Sequence, residues 1–485
     1  MQQSASKIDT AEIIKQFVIT NCSPTERERI FVSGKDGRGG EYNRLQGFLG
    51  INNVFQSGSY ARHTSITPLN DLDIFYILPQ QVQYKSVSAT KSFLENVASE
   101  LRRKYQQDGI HVVIEPQTHS ICINFPNKEG DFTIDIVPAY KTNEVNGLGD
   151  YFYIIPEVGM INDARKKTLY KSKKAEDIKW VKTDPKGYKE FIRNLDKASG
   201  NFLRRSVKII KQWKHWQKDQ RKKEAVEFKL KSFHLELIIA QIWYSNQSFG
   251  VLEILQQAFL EIPKMLDKPN FKDRASDENN IRYVDDYVAE LSIDEKKLIK
   301  IHCSNALTLV RMAILATEKT SLENCLFRIT RSNEEFIGTY GFRRSQNTVD
   351  GQPFYIEVTN QNNEVFASGI VPTNNGDKLV FKQVLPKDGF QFLKNQIIAY
   401  YWKVRNTGAM ALKENSLRGE ISKNAPRVQL SDGFETTKYK GIHYVECYGV
   451  NEQNKEILAY AICSVRVDLE NEIIRRQYKA TFHVP

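Results

Sequence analysis

Two aspartates lie one residue apart where an apolar strand begins, in the segment DLDIFYIL that starts at residue 71. Successive strand residues point to opposite faces, so Asp71 and Asp73 project from the same face of a sheet. Two like charges held side by side are costly unless a ligand compensates them. Carboxylate oxygens favour Mg2+, with Mn2+ as an alternative, so the pattern predicts a divalent-metal site on one face of a sheet.

A third carboxylate interrupts a second apolar strand, in DFTIDIVPAY, where Asp135 lies between Ile134 and Ile136. If that strand pairs beside the first, three carboxylates converge. Such a group suits two-metal phosphoryl transfer, in which one ion activates a hydroxyl and the other neutralises the departing pyrophosphate. The competing interpretation is structural, because an aspartate near the start of a strand is more often a turn or cap residue.

Small residues upstream of the aspartates favour phosphate binding. Gly58 and Ser59 form a GS turn that opens a helix, where bare N–H groups and a hydroxyl can hold a triphosphate. The loop SGKDGRGG, from residue 33, does not fit GxxxxGK[ST] and is interpreted as an ordinary loop. His63 is a weaker candidate for a general base, because a metal site already supplies a way to activate the nucleophile.

Basic side chains follow in a helical region. The segment NFLRRSVKIIKQWKHW, from residue 201, places four of them on one helix face at spacings of four, three and four, namely Arg204, Lys208, Lys211 and His215. Such a face is usually just solvated. Here, however, Lys231 and Ser232 stand at the start of the apolar helix SFHLELIIAQIW, whose free N–H groups and dipole favour phosphate.

Length and composition limit the remaining choices. A chain of 485 residues is expected to form two or three domains, and a hydrophobic content of 41% is that of a globular protein. The net charge of +11 favours anionic partners. The six cysteines include no CxxC pair, which argues against disulfides and zinc. No leader-like segment or membrane-spanning run is evident, so a cytoplasmic protein is expected.

The pattern of elements predicts an α+β fold in three parts. Residues 1–182 form a catalytic core in which strands surround the helix SATKSFLENVASELRRKYQQ. Residues 183–325 form a helical lobe that begins at TDP, with Thr183 or Asp184 as the cap. Residues 337–485 give short strands typical of an all-β sandwich. Near the N-terminus, SPTERERI predicts a helix capped by Ser23.

The motifs GSYARHT, DLD, IDIVPAY, W-x-x-TDP and K-x-W form an ordered series within residues 20–320. Together they resemble the cGAS/DncV-like nucleotidyltransferases (CD-NTases), a branch of the polymerase-β-like superfamily that serves bacterial anti-phage (CBASS) signalling. The resemblance implies that Gly58 and Ser59 bind triphosphate and that Asp71, Asp73 and Asp135 form a metal-binding catalytic triad. It also implies that Lys211 and Ser232 contact the triphosphate. Lys208 and Lys231 are added from helix geometry alone.

The C-terminal part has a resemblance of its own. YYWKVRNTG from Tyr400, SLRGEI from Ser416 and HYVECYGV from His443 resemble the adenylyl/guanylyl cyclase and SMODS C-terminal sensor domain (AGS-C). The resemblance implies that this part senses a ligand or partner. Candidate ligand contacts are Trp402, Arg405 and Arg418, although Trp402 fits a sandwich core better.

The resemblance implies synthesis of a cyclic di- or trinucleotide second messenger from nucleoside triphosphates, with release of pyrophosphate. The alternatives are a transferase with an external acceptor, such as RNA, a protein or a small molecule, and a non-catalytic binding module. Expected partners are ATP, with GTP or pyrimidine triphosphates as alternatives, an RNA or phage-derived activator, and a downstream effector, without a membrane. The basic band at residues 165–223 either detects the activator or merely attracts triphosphates. Base selection stays open because DRASDENNIRYVDDY, from residue 273, replaces an acceptor-side DP motif.

Overall fold

The chain forms two compact units, one from Met1–Lys297 with Ala316–Glu323 and the other from Leu298–Leu315 with Asn324–Pro485. The structure is a computed structural model, and it describes residues 8–36, 38–78, 87–117, 120–126, 132–158, 178–221, 224–276, 281–350, 354–367, 369–385, 398–423, 425 and 435–468. The basic segment RKKTLYKSKK, at residues 165–174, lies outside the described residues. None of the helices in the described ranges is long and apolar enough to cross a bilayer.

The first unit begins with three helices, α1 (Thr10–Asn21), α2 (Glu26–Ser33) and α3 (Glu41–Leu49), of which α2 contains the helix predicted at SPTERERI. The cap of α2 differs from the prediction. Thr25, not Ser23, accepts a hydrogen bond from Glu28 N, and the Glu28 side chain accepts from Thr25 N in return. Two backbone donors are satisfied reciprocally in this capping box, which explains why the helix begins two residues later than the serine would place it.

The central sheet of the first unit has seven strands in the order β1-β2-β5-β4-β3, with β6 on β5 and β7 on β6. Strand β5 lies between β2, which runs parallel to it, and β4, which runs antiparallel. The connection from β2 contains the long helix α5, as the sequence predicts. The elements are β1 (Val54–Gln56), α4 (Gly58–Ala61), β2 (Asp71–Ile77), α5 (Val87–Gln107), β3 (Val113–Pro116), β4 (Ile121–Phe125), β5 (Phe132–Val145), β6 (Tyr151–Val158) and β7 (Ile178–Thr183).

The two faces of this sheet have different roles. Inward side chains of β2, β4 and β5 form one apolar core with α5, including Leu72, Ile74, Ile134, Ile136, Leu94 and Leu101. Because strand side chains alternate, the polar residues between them project from the opposite face. The apolar core therefore fixes the position of the aspartate-bearing face.

The helical lobe follows, as expected. Its helices are α6 (Pro185–Ala198), α7 (Phe202–Gln220), α8 (Ser232–Ser245) and α9 (Val251–Glu261). Asp184 is the cap of α6, accepting a hydrogen bond from Gly187 N, and Pro185 is its first residue. Nine of the residues of α8 are buried, which is expected of a helix that is apolar all round.

The second unit contains most of helix α10 (Ile293–Ile314), most of α11 (Lys319–Arg331) and a β-sandwich. The two sheets have the orders β10-β9-β12-β15 and β11-β17-β16-β13-β14, with β8 on β17. Their elements are β8 (Arg343–Asp350), β9 (Tyr355–Asn360), β10 (Val365–Ala367), β11 (Gly369–Thr373), β12 (Lys378–Val384), β13 (Ala399–Arg405), α12 (Ala409–Lys413), β14 (Arg418–Ser422), β15 (Glu435–Thr436), β16 (Gly441–Asn451) and β17 (Glu456–Val467). The α+β prediction, with a sandwich-like C-terminal domain, is confirmed.

The candidate ligand contacts of the sandwich are all engaged within it. Trp402 is 2% exposed and lies in the core between the sheets. Arg405 pairs with Glu446 at 2.7 Å, and Arg418 pairs with Glu435 at 2.6 Å. Trp402 is therefore a core residue, whereas ligand binding by the two arginines stays a prediction.

The chain before the sandwich is held to it by buried charges. Arg328 of α11 pairs with Glu334, and Lys403 of β13 also pairs with Glu334, at 2.5 Å. Arg328 in addition donates to the carbonyl of Asn406. Residues 324–336 thus belong with the sandwich, whereas the sequence predicted a domain that starts at residue 337.

Candidate active site

The three aspartates predicted from the sequence lie on one face of the seven-stranded sheet. In the parallel pairing of β2 with β5, Asp73 is the direct register partner of Asp135. Asp71 is two positions from Asp73 along β2 and shares its face. The three aspartates therefore lie close together, as the two strand patterns predicted. The apolar residues that alternate with them pack into the core on the opposite face of the sheet.

Burial and mutual repulsion disfavour negative charge at this face. Burial, together with the charges of Asp71 and Asp135, raises the pKa of Asp73 to about 7, although Arg62 and Lys211 oppose the rise. Burial likewise raises the pKa of Asp135. Among the described residues, Oδ1 of Asp135 is buried without a hydrogen-bond partner. A positive charge placed here would favour the ionised form of both carboxyls and would give Oδ1 of Asp135 a partner.

The chemistry of these donors fits a hard divalent cation, because carboxylate oxygens are the ligands that Mg2+ and Mn2+ favour. The unpartnered Oδ1 of Asp135 is an available donor for such an ion. In the described part of the chain, no three His, Cys, Asp or Glu side chains are grouped so that they could hold a metal ion. Metal binding by the three aspartates stays a prediction.

The GS turn packs directly against Asp73. Ser57 N donates to the carbonyl of Asp73 at 2.9 Å. Gly58 has φ +63°, and a Cβ atom at this residue would lie 1.7 Å from Oδ2 of Asp73. Only glycine combines this backbone conformation with so close an approach to the carboxylate. Ser59 follows, and its carbonyl accepts from Thr64 N at 2.9 Å, which closes the loop.

Lys211 lies near the aspartates, but its ammonium group already has two partners. The residue is 4% exposed. Its Nζ donates to the carbonyl of Thr64 at 2.9 Å and to Oε1 of Glu236 at 3.1 Å. A cation held in this way neutralises a buried carboxylate and is not free to face an incoming anion. The phosphate contact implied for Lys211 stays a prediction.

A second lysine of α7, Lys214, faces the predicted phosphate-contacting serine. Its Nζ donates to Oγ of Ser232 at 3.1 Å. Burial, and then the nearby charges of Lys218 and Lys211, lower the pKa of Lys214 to about 8, while Asp71 opposes the lowering. Lys214 therefore combines contact with Ser232 and electrostatic proximity to the aspartate face.

The other predicted binding residues lie in different surroundings. Lys208 Nζ donates to Oγ of Ser23 at 2.9 Å, and burial lowers the pKa of Lys208 to about 8. Lys231 is the cap residue of α8, and its Nζ lies 4.7 Å from the centre of the Tyr287 ring. His63 is exposed. The binding roles of Lys208 and Lys231 stay predictions.

Two family models match the chain. Residues 47–155, which include the GS turn and all three aspartates, match the Second Messenger Oligonucleotide or Dinucleotide Synthetase (SMODS) domain. Residues 366–468 match the Adenylyl/Guanylyl and SMODS C-terminal sensor (AGS-C) domain. A SMODS match and an AGS-C match therefore lie along the same chain. The resemblance to a cGAS/DncV-like nucleotidyltransferase with an AGS-C domain, inferred from the sequence motifs, is confirmed by these matches.

Similar proteins match only part of this chain. A cyclic AMP-AMP-AMP synthase of Escherichia coli (strain MS 115-1) is 25% identical over 224 residues, 45% of this chain and 60% of that protein. A probable cyclic nucleotide synthase of Bacillus cereus (strain VD146) is 30% identical over 179 residues, 32% of this chain and 48% of that protein. The chain thus spans less than two thirds of either relative. The structure of E. coli MS115-1 CdnC with ATP is 19% identical, with a TM-score of 0.42, and covers 66% of this chain and 96% of that one.

Two residues near the site were not predicted from the sequence, although both carry recognisable signals. Lys214 follows Lys211 by three residues, which places both on neighbouring positions of one helix surface. Glu236 is a lone acidic residue inside the apolar run FHLELIIAQIW. A charge at the centre of an apolar helix must be paired, so its position predicts a buried cationic partner without identifying it; the structure shows Arg62 and Lys211.

Proposed function

We propose that the protein is a metal-dependent nucleotidyltransferase that joins nucleoside triphosphates into a cyclic oligonucleotide signal and releases pyrophosphate. The observation that carries the proposal is the pairing of β2 with β5, which sets Asp73 opposite Asp135 and next to the GS turn. The SMODS match over the same residues and the two partially covered relatives support the choice of product class.

In this proposal, Asp71, Asp73 and Asp135 hold Mg2+, or Mn2+ as an alternative. The bound metal would supply charge neutralisation and activation of the attacking hydroxyl. The GS turn and Ser232 hold the triphosphate, and Lys214 supplies the positive charge beside Ser232. Asp135, on the strand beside Asp73, orients the hydroxyl and accepts its proton. Positioning of the hydroxyl against the α-phosphate then provides much of the rate increase.

The test of this function is incubation of the full-length protein with labelled ATP, GTP, CTP and UTP in the presence of Mg2+ or Mn2+. The expected result is a product that resists phosphatase, because a closed ring has no terminal phosphate, together with released pyrophosphate. A labelled tail on added RNA, protein or small molecule would instead identify an external acceptor. If neither a phosphatase-resistant product nor a labelled acceptor forms, with or without RNA, the result would contradict nucleotidyl transfer altogether.

The same assay addresses activation by RNA. We infer that the basic band at residues 165–223 contributes any RNA response, because clustered positive charge favours nucleic acid. Activation through phosphate contacts should weaken steeply between 50 and 200 mM salt, on the order of a thousandfold for a site with several contacts. Activation that persists unchanged across this salt range would exclude such contacts.

Replacement of Lys214 by Met should weaken binding of a non-hydrolysable ATP analogue about tenfold or more at pH 7. The reason is loss of the cation beside Ser232. Since the pKa of Lys214 is about 8, wild-type affinity should fall as pH rises above 8, by up to about tenfold per pH unit. Titration calorimetry from pH 7 to 9.5 measures both effects.

Lys218→Met is the matched control for Lys214→Met, because Lys218 is exposed on the same helix. This control should keep the affinity at pH 7, and it should move the decline to higher pH, because the charge of Lys218 lowers the pKa of Lys214. An unchanged affinity in Lys214→Met, or an unchanged decline with pH, would show that Lys214 does not contact the triphosphate.

A further inference from the structure

Glu236 is the centre of a buried ion-pair cluster in the first unit. The residue lies in the apolar helix α8 and is 0% exposed. Its carboxylate accepts hydrogen bonds from Nε of Arg62 at 2.8 Å and from a terminal nitrogen of Arg62 at 3.3 Å. It also accepts from Nζ of Lys211 at 3.1 Å. One carboxylate is therefore shared by two cations.

The partners of Glu236 come from separate segments of the chain. Arg62 immediately follows the short helix α4, and its guanidinium group stacks 4.6 Å from the centre of the Phe233 ring in α8. Lys211 belongs to α7 and also donates to the carbonyl of Thr64 at 2.9 Å. The cluster thus connects the GS-turn segment, residues 57–64, to both α7 and α8.

These connected segments also carry the proposed triphosphate contacts. Ser59 is in the GS turn, Lys214 is one helical turn after Lys211 in α7, and Ser232 is one turn before Glu236 in α8. None of these side chains hydrogen-bonds Glu236 in the described structure. The carboxylate therefore acts on the spacing of the contacts and not through a contact of its own.

Glu236 stays charged in spite of its burial. Burial alone would raise the pKa of Glu236, but Arg62 and Lys211 lower it to about 2. Removing its charge would leave two buried cations facing each other, which is costly. Such a charge arrangement fixes the relative orientation of the three segments, because each hydrogen bond has a preferred direction.

We propose that Glu236 is a positioning residue that fixes the GS turn relative to α7 and α8, so that Ser59, Lys214 and Ser232 keep the spacing needed to bind a triphosphate. The inference rests on the proposed function, since it concerns the same site. Displacement of one binding element by about 1 Å is enough to reduce function about a hundredfold in well-ordered sites. On this assignment, Lys211 holds Glu236 in the ion-pair cluster and does not contact the phosphate.

The test compares Glu236→Gln with Glu41→Gln. Glu41 is a matched control because it is also buried, at 5% exposed, and pairs with Tyr105 and Arg44 away from the GS turn. Glu236→Gln should accelerate amide hydrogen exchange across residues 57–64 and weaken binding of a non-hydrolysable ATP analogue about tenfold or more. Glu41→Gln should change neither the hydrogen exchange at residues 57–64 nor the affinity for the analogue, even if it lowers the melting temperature as much as Glu236→Gln does.

A double variant separates positioning from simple stability. Glu236→Gln with Lys211→Gln restores the net charge of the cluster and should recover much of the melting temperature lost in Glu236→Gln. It should not recover the affinity for the ATP analogue, because the ion pairs of Glu236 that connect the GS turn to α7 and α8 are still absent. Recovery of the affinity together with the melting temperature would overturn the proposal.

Arg62→Lys covers the case in which Glu236→Gln does not fold. Lysine keeps the charge but loses the two-pronged contact, so faster exchange at residues 57–64 and weaker analogue binding are again expected. Wild-type exchange and affinity in this variant would overturn the proposal. The hydrogen-exchange measurement needs no nucleotide, so it tests the link between the GS turn and the two helices even if the wild-type protein binds no triphosphate. A wild-type protein that binds no triphosphate would refute the proposed function separately.

Discussion

Asp73→Asn should reduce nucleotide synthesis by about a thousandfold or more while the protein remains folded. Asparagine keeps the shape of aspartate but removes a negative charge needed to hold the metal, and lost metal stabilisation of several kcal/mol corresponds to such a factor. Phosphatase-resistant product, measured by thin-layer chromatography of labelled reactions, gives the rate. Asp267→Asn, a change at a 68% exposed side chain, should leave the rate unchanged.

The Asp73→Asn variant should also be more stable than the wild type when metal is removed with a chelator. Because the folded protein raises the pKa of Asp73 from its usual 3.8 to about 7, ionising this carboxyl costs stability progressively between those pH values. Asp73→Asn avoids that cost, so we expect a gain of roughly 1–3 kcal/mol at pH 7.5 that disappears below pH 4. Urea unfolding at both pH values measures it. A variant that unfolds instead would show that Asp73 is structural.

Gly58→Ala should lower activity about a hundredfold and destabilise the first unit. The added methyl group would lie 1.7 Å from Oδ2 of Asp73, so either the turn or the carboxylate must move. A displacement of this size at a reacting centre has an effect of about that magnitude. Activity and thermal unfolding of the same preparation separate the two consequences.

Gly109→Ala is the control that isolates the steric effect. Gly109 has φ +68°, close to the +63° of Gly58, but no atom lies within 4 Å of its would-be Cβ. Both variants therefore carry a backbone penalty of about 1–2 kcal/mol, and only Gly58→Ala adds the clash. Equal losses of stability and activity in the two variants would mean that the close approach to Asp73 is unimportant.

The sequence predicted the aspartate face because a simple rule governs it. Apolar residues alternate with Asp71, Asp73 and Asp135, and strand geometry then places the acids on one face. The alternation does not specify which strand neighbours which. The register that sets Asp73 opposite Asp135 depends on the long-range pairing of β2 with β5, across the α5 connection.

Lysine roles in α7 were harder to predict. Helical spacing assigns Lys208 and Lys211 to a common face, but it does not reveal a carboxylate 25 residues further along the chain. Glu236 draws Lys211 into the interior, whereas Lys214, three residues on, reaches Ser232. The choice between neighbouring lysines is made by tertiary partners, which no local pattern contains.

The cap of α2 illustrates the same limit at shorter range. Both Ser23 and Thr25 are good cap residues, and either fits the sequence before ERERI. Each is followed three residues later by a glutamate that could complete a capping box, Glu26 after Ser23 and Glu28 after Thr25, and the structure uses the second pair. Ser23 then remains available to accept the hydrogen bond of Lys208.

The buried charges around Glu334 determine where the C-terminal domain can be excised from the chain. A fragment that starts at Ile337 would retain Lys403, which is 3% exposed, but would lack Glu334, the carboxylate that neutralises it. An uncompensated buried ammonium group typically costs about 3–5 kcal/mol, a large part of the stability of a domain of this size. Isolation of the sensor domain for ligand screening therefore calls for a fragment that begins before Leu298, so that the helices and Glu334 are expressed with the sandwich.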